Sequence, residues 1–387
     1  MKKLLSQSVL SIPPSGIRRF FDIIATLDDV ISLGIGEPDF DTPWHIRELS
    51  IYHLEQGYTN YTSNSGLIKL RETISQRLNK DYQLKYDPVT QILVTVGVSE
   101  GLDLALRAIL NLGDEVIVHE PSYVSYKPCI IMAGGVPVVV ETKLEDDFQL
   151  KAEEIEKVVT KKTKALIISY PNNPTGAIME KDRLSKIAQV VKKHNLLVIA
   201  DEIYEHLTYE GSPTCFAALP EMKERTILLN GFSKAYAMTG WRIGYAASHQ
   251  DIIEVMTKIH QYTMLCAPIM GQQAAIEALK NGYFHRQDMI TEYNQRRRLI
   301  IKGLNEIGLN CFTAKGAFYV FPSIINSTLN DEEFAERLLL EERVAVIPGG
   351  AFGKSGRSFI RCSYATSLDK IEEALERIRR FFNRYKR

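Results

Sequence analysis

Two rhythms of apolar and polar positions run through the chain. From residue 91 onward, short apolar runs of buried-strand length recur: Ile92–Val96, Glu115–Val118, Pro137–Val140, Ala165–Ile168, Leu196–Ile199 and Ile227–Leu229. Helical spacing separates several of them. Leu102, Leu106, Ile109 and Leu110 fall on one stripe, and Leu184, Ile187, Val190 and Val191 on another. Strands alternating with amphipathic helices predict an α/β domain built on a largely parallel sheet.

The pattern differs on either side of this block. Near the start, the breaker cluster Pro13-Pro14-Ser15-Gly16 precedes Ile17, Phe20, Phe21, Ile24 and Leu27 at helical spacing. Ile31 to Phe40 reads as a short strand running into a glycine-proline turn. Gly57 to Gly66 is a polar, tyrosine-bearing loop before a helix that carries Leu67, Leu70, Ile74 and Leu78. After residue 250 helices dominate. Strands are expected over 316–322 and 358–363, with a helix near Phe334 to Leu340 between them, then Val344–Ile347 and the turn Pro348-Gly349-Gly350. A last helix places Ile371, Leu375, Ile378 and Phe382 on one stripe. These elements do not extend the first sheet. They predict a smaller α+β domain of residues 1–45 and 284–387 beside a large domain of residues 46–283.

Composition narrows the partners. Lys+Arg and Asp+Glu balance at 47 each over 387 residues. A zero net charge argues against nucleic acid or an acidic membrane as a dedicated partner. The five cysteines are scattered, with no C-x-x-C pair. That fits reduced thiols rather than a disulfide framework or a zinc site. No secretory leader or membrane-length apolar stretch is visible, so a cytoplasmic protein is expected.

The chemistry collects in turns that follow strands. These are Gly97-Val98-Ser99, Tyr170 to Gly176, Asp201 to Tyr204, and the segment around Lys234 with Arg242 eight positions later. Ligands of parallel sheets bind at the carboxyl ends of strands, so these turns are expected to converge. A strand, a glycine turn and a helix start make an anion site from free backbone N–H groups. It is neither G-x-G-x-x-G nor a Walker loop. Pyridoxal phosphate chemistry needs a lysine for the aldehyde, a carboxylate beside the ring nitrogen, donors to the ring oxygen, an aromatic face and a phosphate cup. Amino-acid substrates add an arginine that grips a carboxylate bidentately. Each of these has a candidate.

The blocks Tyr170 to Gly176, Ala200 to Tyr204, Ser233 to Gly244 and Arg361-Cys362-Ser363 resemble, in order and spacing, the signatures of class I aminotransferases. The resemblance runs from about Ser32 to the C-terminus, and Ile12 to Arg18 resembles the N-terminal arm of that family's bacterial aspartate, alanine and aromatic subgroup. It implies fold type I, pyridoxal 5'-phosphate, and a homodimer with shared sites. Lys234 then matches the lysine that holds the cofactor and carries the proton. Asp201 matches the ring-nitrogen partner, Tyr204 and Asn173 the ring-oxygen donors, and Tyr123 the stacked aromatic. Gly97, Val98, Ser99, Ser233 and Arg242 match the phosphate site, with Tyr61 reaching it from the neighbouring subunit. Arg361, Asn173 and Gly36 match the substrate-carboxylate site.

Two departures stand out. Gly231 occupies a place where many members have serine on the phosphate, so a weaker or re-routed contact is expected. Ser99 stands where aspartate-preferring members can carry lysine, which disfavours strict aspartate specificity. The expected reaction is ping-pong transfer from an L-amino acid, alanine or aromatic favoured, to a 2-oxo acid such as 2-oxoglutarate. Aspartate transfer and a fold type I β-lyase are the alternatives. A cofactor-binding regulator would need an added module that the pattern does not show. Trp44, Tyr262 and Phe318 are further candidates for contact with the substrate.

Overall fold

The computed structural model describes residues 4–14 and 27–387. The helix expected from Ile17 to Leu27 lies outside these residues, Leu27 excepted. A two-residue strand, β1 (Ile31–Ser32), comes first. Seven strands then form one sheet: β2 (Ile92–Thr95), β3 (Glu115–Glu120), β4 (Val136–Glu141), β5 (Thr163–Ile168), β6 (Leu197–Asp201), β7 (Thr226–Gly231) and β8 (Gly244–Ala247). Their order is β2-β8-β7-β6-β5-β3-β4. Neighbours pair in parallel except at β8, which runs antiparallel to both β2 and β7.

Successive residues of a strand face opposite sides of the sheet, and here both sides are covered. Val116, Val118, Ile167, Ile199 and Leu229 pack with Leu102 and Leu106 of the helix Gly97–Ile109. Ile117, Leu166, Val198 and Ala200 pack on the other face with Ile187 and Val191 of the helix Lys181–Lys193. That double burial explains the unbroken apolar runs. β4, at the sheet's edge, has only Val140 buried.

Four short strands follow: β9 (Tyr319–Val320), β10 (Val344–Ala345), β11 (Ile347–Pro348) and β12 (Ile360–Ser363). β10 pairs in parallel with β1, and β11-β12-β9 form an antiparallel sheet. The start of the described chain is thereby joined to its last third. Phe318, Phe334, Ile371, Ile378 and Phe382 fill the core between this sheet and the helices Tyr283–Ile307, Asp331–Glu342 and Leu368–Tyr385. Asn330 and Glu333 cap the second of these reciprocally.

The large sheet sets up the site. β2, β3, β5, β6 and β7 all end on one edge, and antiparallel β8 begins there. Gly244 therefore lies between Thr95 and Gly231, registered against both. Among the described residues, no helix is long and apolar enough to cross a membrane.

Candidate active site

A cavity of about 320 Å³ opens at that edge. Gly36, Val98, Ser99, Tyr123, Asn173, Asp201, Tyr204, Ser233, Lys234, Arg242 and Arg361 all line it. Five strand-end turns meet there, after β2, β3, β5, β6 and β7, joined by the Gly36 segment and by Arg361 of β12. Gly97 sits just behind, against the Arg242 guanidinium. Tyr61 is 82% exposed and lies outside the cavity, as do Trp44 and Tyr262. Phe318 is buried, with its ring 5.6 Å from Lys234 Nζ.

One end of the cavity is built for an anion. The helix Gly97–Ile109 starts there, and the N–H groups of its first turn have no partners within the helix. Gly97 has φ +74°, and a Cβ on it would lie 2.4 Å from Arg242 Nη2. A Cβ on Gly244 would lie 2.7 Å from Val98 N. These two glycines let the turn and the arginine come together. Arg242 has φ +55°, rare for a side-chain-bearing residue, and donates to Thr239 O at 2.9 Å. Among the described residues no carboxylate pairs with it. Gly231 belongs to the same packing: a Cβ there would meet Ile243 O at 3.0 Å and Val98 Cγ2 at 3.3 Å. A side chain at Gly231 would thus press on both β8 and the turn.

The middle holds a lysine and a carboxyl. Lys234 Nζ donates to Gly36 O at 2.5 Å, and burial lowers its pKa to about 8. Its turn is held by Met238 N donating to Ser233 O and by Thr42 Oγ1 donating to Ala237 O. Asp201 ends β6, and burial pushes its carboxyl up. Tyr126 hydroxyl donates to its Oδ2 at 2.8 Å, and Ile203 N to its Oδ1 at 3.3 Å. The turn after Asp201 is anchored from beneath, where Glu205 accepts from Arg77 and from Tyr82 hydroxyl. Glu202 accepts from Phe216 N at 2.9 Å.

Arg361 closes the other end. It comes from β12, is 3% exposed, and donates to Asn173 Oδ1 at 3.1 Å and Gly34 O at 2.6 Å. Its Nε is buried without a partner. The guanidinium lies over the rings of Tyr319 at 4.5 Å and Phe352 at 4.9 Å. A buried cation held by aromatic faces and carbonyl oxygens, with no acid beside it, is a site for an anion from outside. Asn173 is set by its neighbour: Asn172 Oδ1 accepts from Thr175 N and Oγ1, fixing the turn.

The family model for aminotransferase class I and II matches residues 28–378. The chain belongs to that family. Its members are pyridoxal-phosphate-dependent transaminases, and this chain is one of them. A Bacillus subtilis protein provisionally named as the aminotransferase YugH is 53% identical over 384 residues, 99% of this chain and 100% of its own length. An aspartate aminotransferase of Pyrococcus abyssi is 48% identical, covering 94% of this chain and 95% of its own. The crystal structure of an aromatic aminotransferase from Pyrococcus horikoshii superimposes with a TM-score of 0.91 at 47% identity, over 94% of this chain and 99% of that one. The fold is accordingly fold type I.

Tyr126 and Tyr319 line the transaminase cavity and were not among the residues picked from sequence. Neither sits in a signature block, and each reads as ordinary core packing. Tyr126 opens the helix Tyr126–Met132 three positions after Tyr123, and the two rings meet edge-on with centroids 5.6 Å apart.

Proposed function

We propose that pyridoxal phosphate binds in this cavity and that the enzyme moves the amino group of an L-amino acid with an apolar or aromatic side chain to a 2-oxo acid, 2-oxoglutarate being the first to test. The observation that carries this reading is the trio of cations lining the cavity. Lys234, Arg242 and Arg361 are the only Lys or Arg side chains that do so among the described residues. The donor set fits the cofactor. Gly97, Val98 and Ser99 at the helix start, with Ser233 and Arg242, would hold the phosphate. Tyr123 and Lys234 would face the ring, Asp201 would meet its nitrogen, and Tyr204 and Asn173 would meet its oxygen. Arg361, Asn173 and the Gly36 backbone hold the substrate carboxylate.

When bound, the cofactor supplies an aldehyde for the substrate amine and a ring that draws electrons from the α-carbon. Lys234 is the residue whose Nζ would hold the cofactor's aldehyde. Its amine, once free, would be the base for the substrate's α-proton and the acid that returns it. A near-neutral amine suits both steps. Asp201 would keep the ring nitrogen protonated, and that positive charge would offset the burial that pushes its carboxyl up. Arg361 fixes the substrate so that its α-proton faces Lys234.

With these three cations all engaged, no fourth cation among the described residues meets a distal carboxylate, and Ser99 replaces a lysine that could. This supports an apolar or aromatic donor, and the Pyrococcus horikoshii relative is named for aromatic substrates. The Pyrococcus abyssi relative is named for aspartate, which keeps aspartate as the second reading. A panel of donors tested against 2-oxoglutarate and pyruvate decides. Phenylalanine or tyrosine is expected to exceed aspartate in kcat/KM by at least about tenfold, the worth of one unmatched charge. Aspartate in first place would overturn the apolar reading.

Cofactor capture should report the Lys234 environment. With its pKa lowered to about 8, the free-amine fraction rises with pH below that value and levels off above it. The rate of pyridoxal phosphate uptake should climb about tenfold per pH unit at acid pH and flatten near pH 8. An unperturbed lysine would keep climbing toward roughly pH 10.4. Tyr126→Phe removes a hydrogen bond that stabilises the ionised Asp201 carboxyl, so its pKa rises. The acid limb of the kcat profile should move upward in pH, with kcat down about tenfold. An unchanged profile would exclude a role for Tyr126.

The reading includes a homodimer in the cytoplasm. Trp44, Ile51, Tyr52, Tyr58, Tyr61 and Tyr262 are exposed. The helix Trp44–Glu55 and the loop after it are joined to the 264–272 segment: Ser50 donates to Met270 O, Gln272 Nε2 to Thr62 Oγ1, and Asn64 to Leu265 O. A second copy on this face would bury these rings and bring Tyr61 to the neighbouring phosphate site. All five cysteines are free thiols, which suits a reducing compartment.

A further inference from the structure

Tyr319 belongs to none of the roles above, yet it touches three of the groups that fill them. It is fully buried in β9 and lines the cavity. Its hydroxyl lies 2.9 Å from the Tyr204 hydroxyl, a pair in which either oxygen can be the donor. Its ring face carries the Arg361 guanidinium at 4.5 Å. The Tyr319 hydroxyl also occupies the space left by Gly36, where a Cβ would lie 2.7 Å from it.

We propose that Tyr319 is a positioning residue that sharpens Tyr204 as the donor to the cofactor's ring oxygen while its ring face supports the substrate-carboxylate arginine. The inference rests on the placement of the cofactor proposed above. A phenol carries one proton. If Tyr204 gives its proton to the ring oxygen, it has none for Tyr319, so Tyr319 must be the donor of the pair. Burial holds both phenols protonated, so each link of the chain has its proton. A hydroxyl that accepts a hydrogen bond becomes a better donor, and such chains reinforce one another in a dry site. The better donor favours the ionised ring oxygen. That in turn favours the deprotonated form of the link between Lys234 and the cofactor.

Two variants separate the hydroxyl from the ring. Tyr319→Phe removes the hydroxyl and keeps the face under Arg361. Tyr319→Leu removes both. The readout is the pH midpoint of the visible absorption band of the protein loaded with pyridoxal phosphate, without substrate. Tyr319→Phe should raise that midpoint by about half a unit to one unit, and leave the donor KM near the wild-type value. Tyr319→Leu should raise the midpoint equally and add up to about a tenfold increase in KM, from the lost cation–ring contact. In a Tyr204→Phe background, Tyr319→Phe should no longer move the midpoint, because its acceptor is gone.

A midpoint that Tyr319→Phe leaves at the wild-type value overturns the proposal. So does a shift that persists when Tyr204 is phenylalanine. A wild-type protein that takes up pyridoxal phosphate without any visible band overturns the cofactor placement itself, and this inference with it. The band in the wild type thus tells the two failures apart.

Discussion

Lys234→Ala is expected to lower kcat for transamination by on the order of 10⁴-fold, the upper range for losing a positioned proton carrier. Lys234 is half-buried in the cavity, facing the rings of Tyr204 at 5.8 Å and Phe318 at 5.6 Å. Its amine has a lowered pKa, and its hydrogen-bond partner among protein groups is the Gly36 carbonyl. A structural lysine would pair with a carboxylate, and its removal would cost stability. This one is desolvated with a single carbonyl for company, so alanine should leave the melting temperature near the wild-type value. Cofactor affinity should fall but persist, because the helix start, Arg242 and Asp201 remain. Lys234→Arg provides the contrast. Guanidinium keeps the charge and much of the length, but stays protonated at any working pH, so it cannot carry the proton. It should be as inactive as alanine. Turnover within tenfold of wild type in either variant would remove Lys234 from the proposed mechanism. Single-turnover measurement of the half-reaction with one donor is the direct test, since it excludes product release as a cause.

The sequence carried much of this molecule because its signals were local. β2, β3, β5, β6 and β7 are buried on both faces, and each shows as an apolar run followed by a turn. The rule that parallel sheets bind ligands at strand ends then places Gly97, Asn173, Asp201 and Lys234 on one edge. β8 was not legible. Its four residues, Gly244 to Ala247, are too short and too small-sided to stand out, and they are a strand because Thr95 and Gly231 flank them. Gly231 could be seen as odd, but not why. The close packing of β8 and Val98 on it exists only in three dimensions. Tyr126 and Tyr319 were missed for a related reason. A tyrosine in a core looks the same in sequence whether its hydroxyl meets a carboxylate or a solvent-filled gap. The resemblance to the family proposes groups for direct contact with a cofactor, and the structure adds Tyr126 and Tyr319, which stand one contact behind Asp201 and Tyr204.

Arg361→Gln should separate binding from folding. The guanidinium is buried, its Nε has no partner, and burial lowers its pKa. Its two hydrogen bonds go to neutral oxygens, Asn173 Oδ1 and Gly34 O. Among the described residues the desolvation of this cation is therefore offset by carbonyl contacts and by the Tyr319 and Phe352 faces, and by no carboxylate. Glutamine retains one donor for these oxygens and removes the charge. The empty variant should melt within a few degrees of wild type, and an increase is allowed. Substrate binding should respond differently. A carboxylate gripped by a buried guanidinium loses roughly 2–5 kcal/mol when that partner is truncated, a KM increase of about 30-fold to several thousand-fold. Amino-acid donors and 2-oxo acids should suffer alike, because both present the same carboxylate to the same residue in a ping-pong cycle. Arg361→Lys restores the charge without the two-pronged geometry, so it should recover only part of the loss. If Arg361 were instead a structural cation, Arg361→Gln would lower the melting temperature markedly and leave KM for both substrates near wild type. Measuring thermal midpoint and the two KM values on the same preparation distinguishes these outcomes.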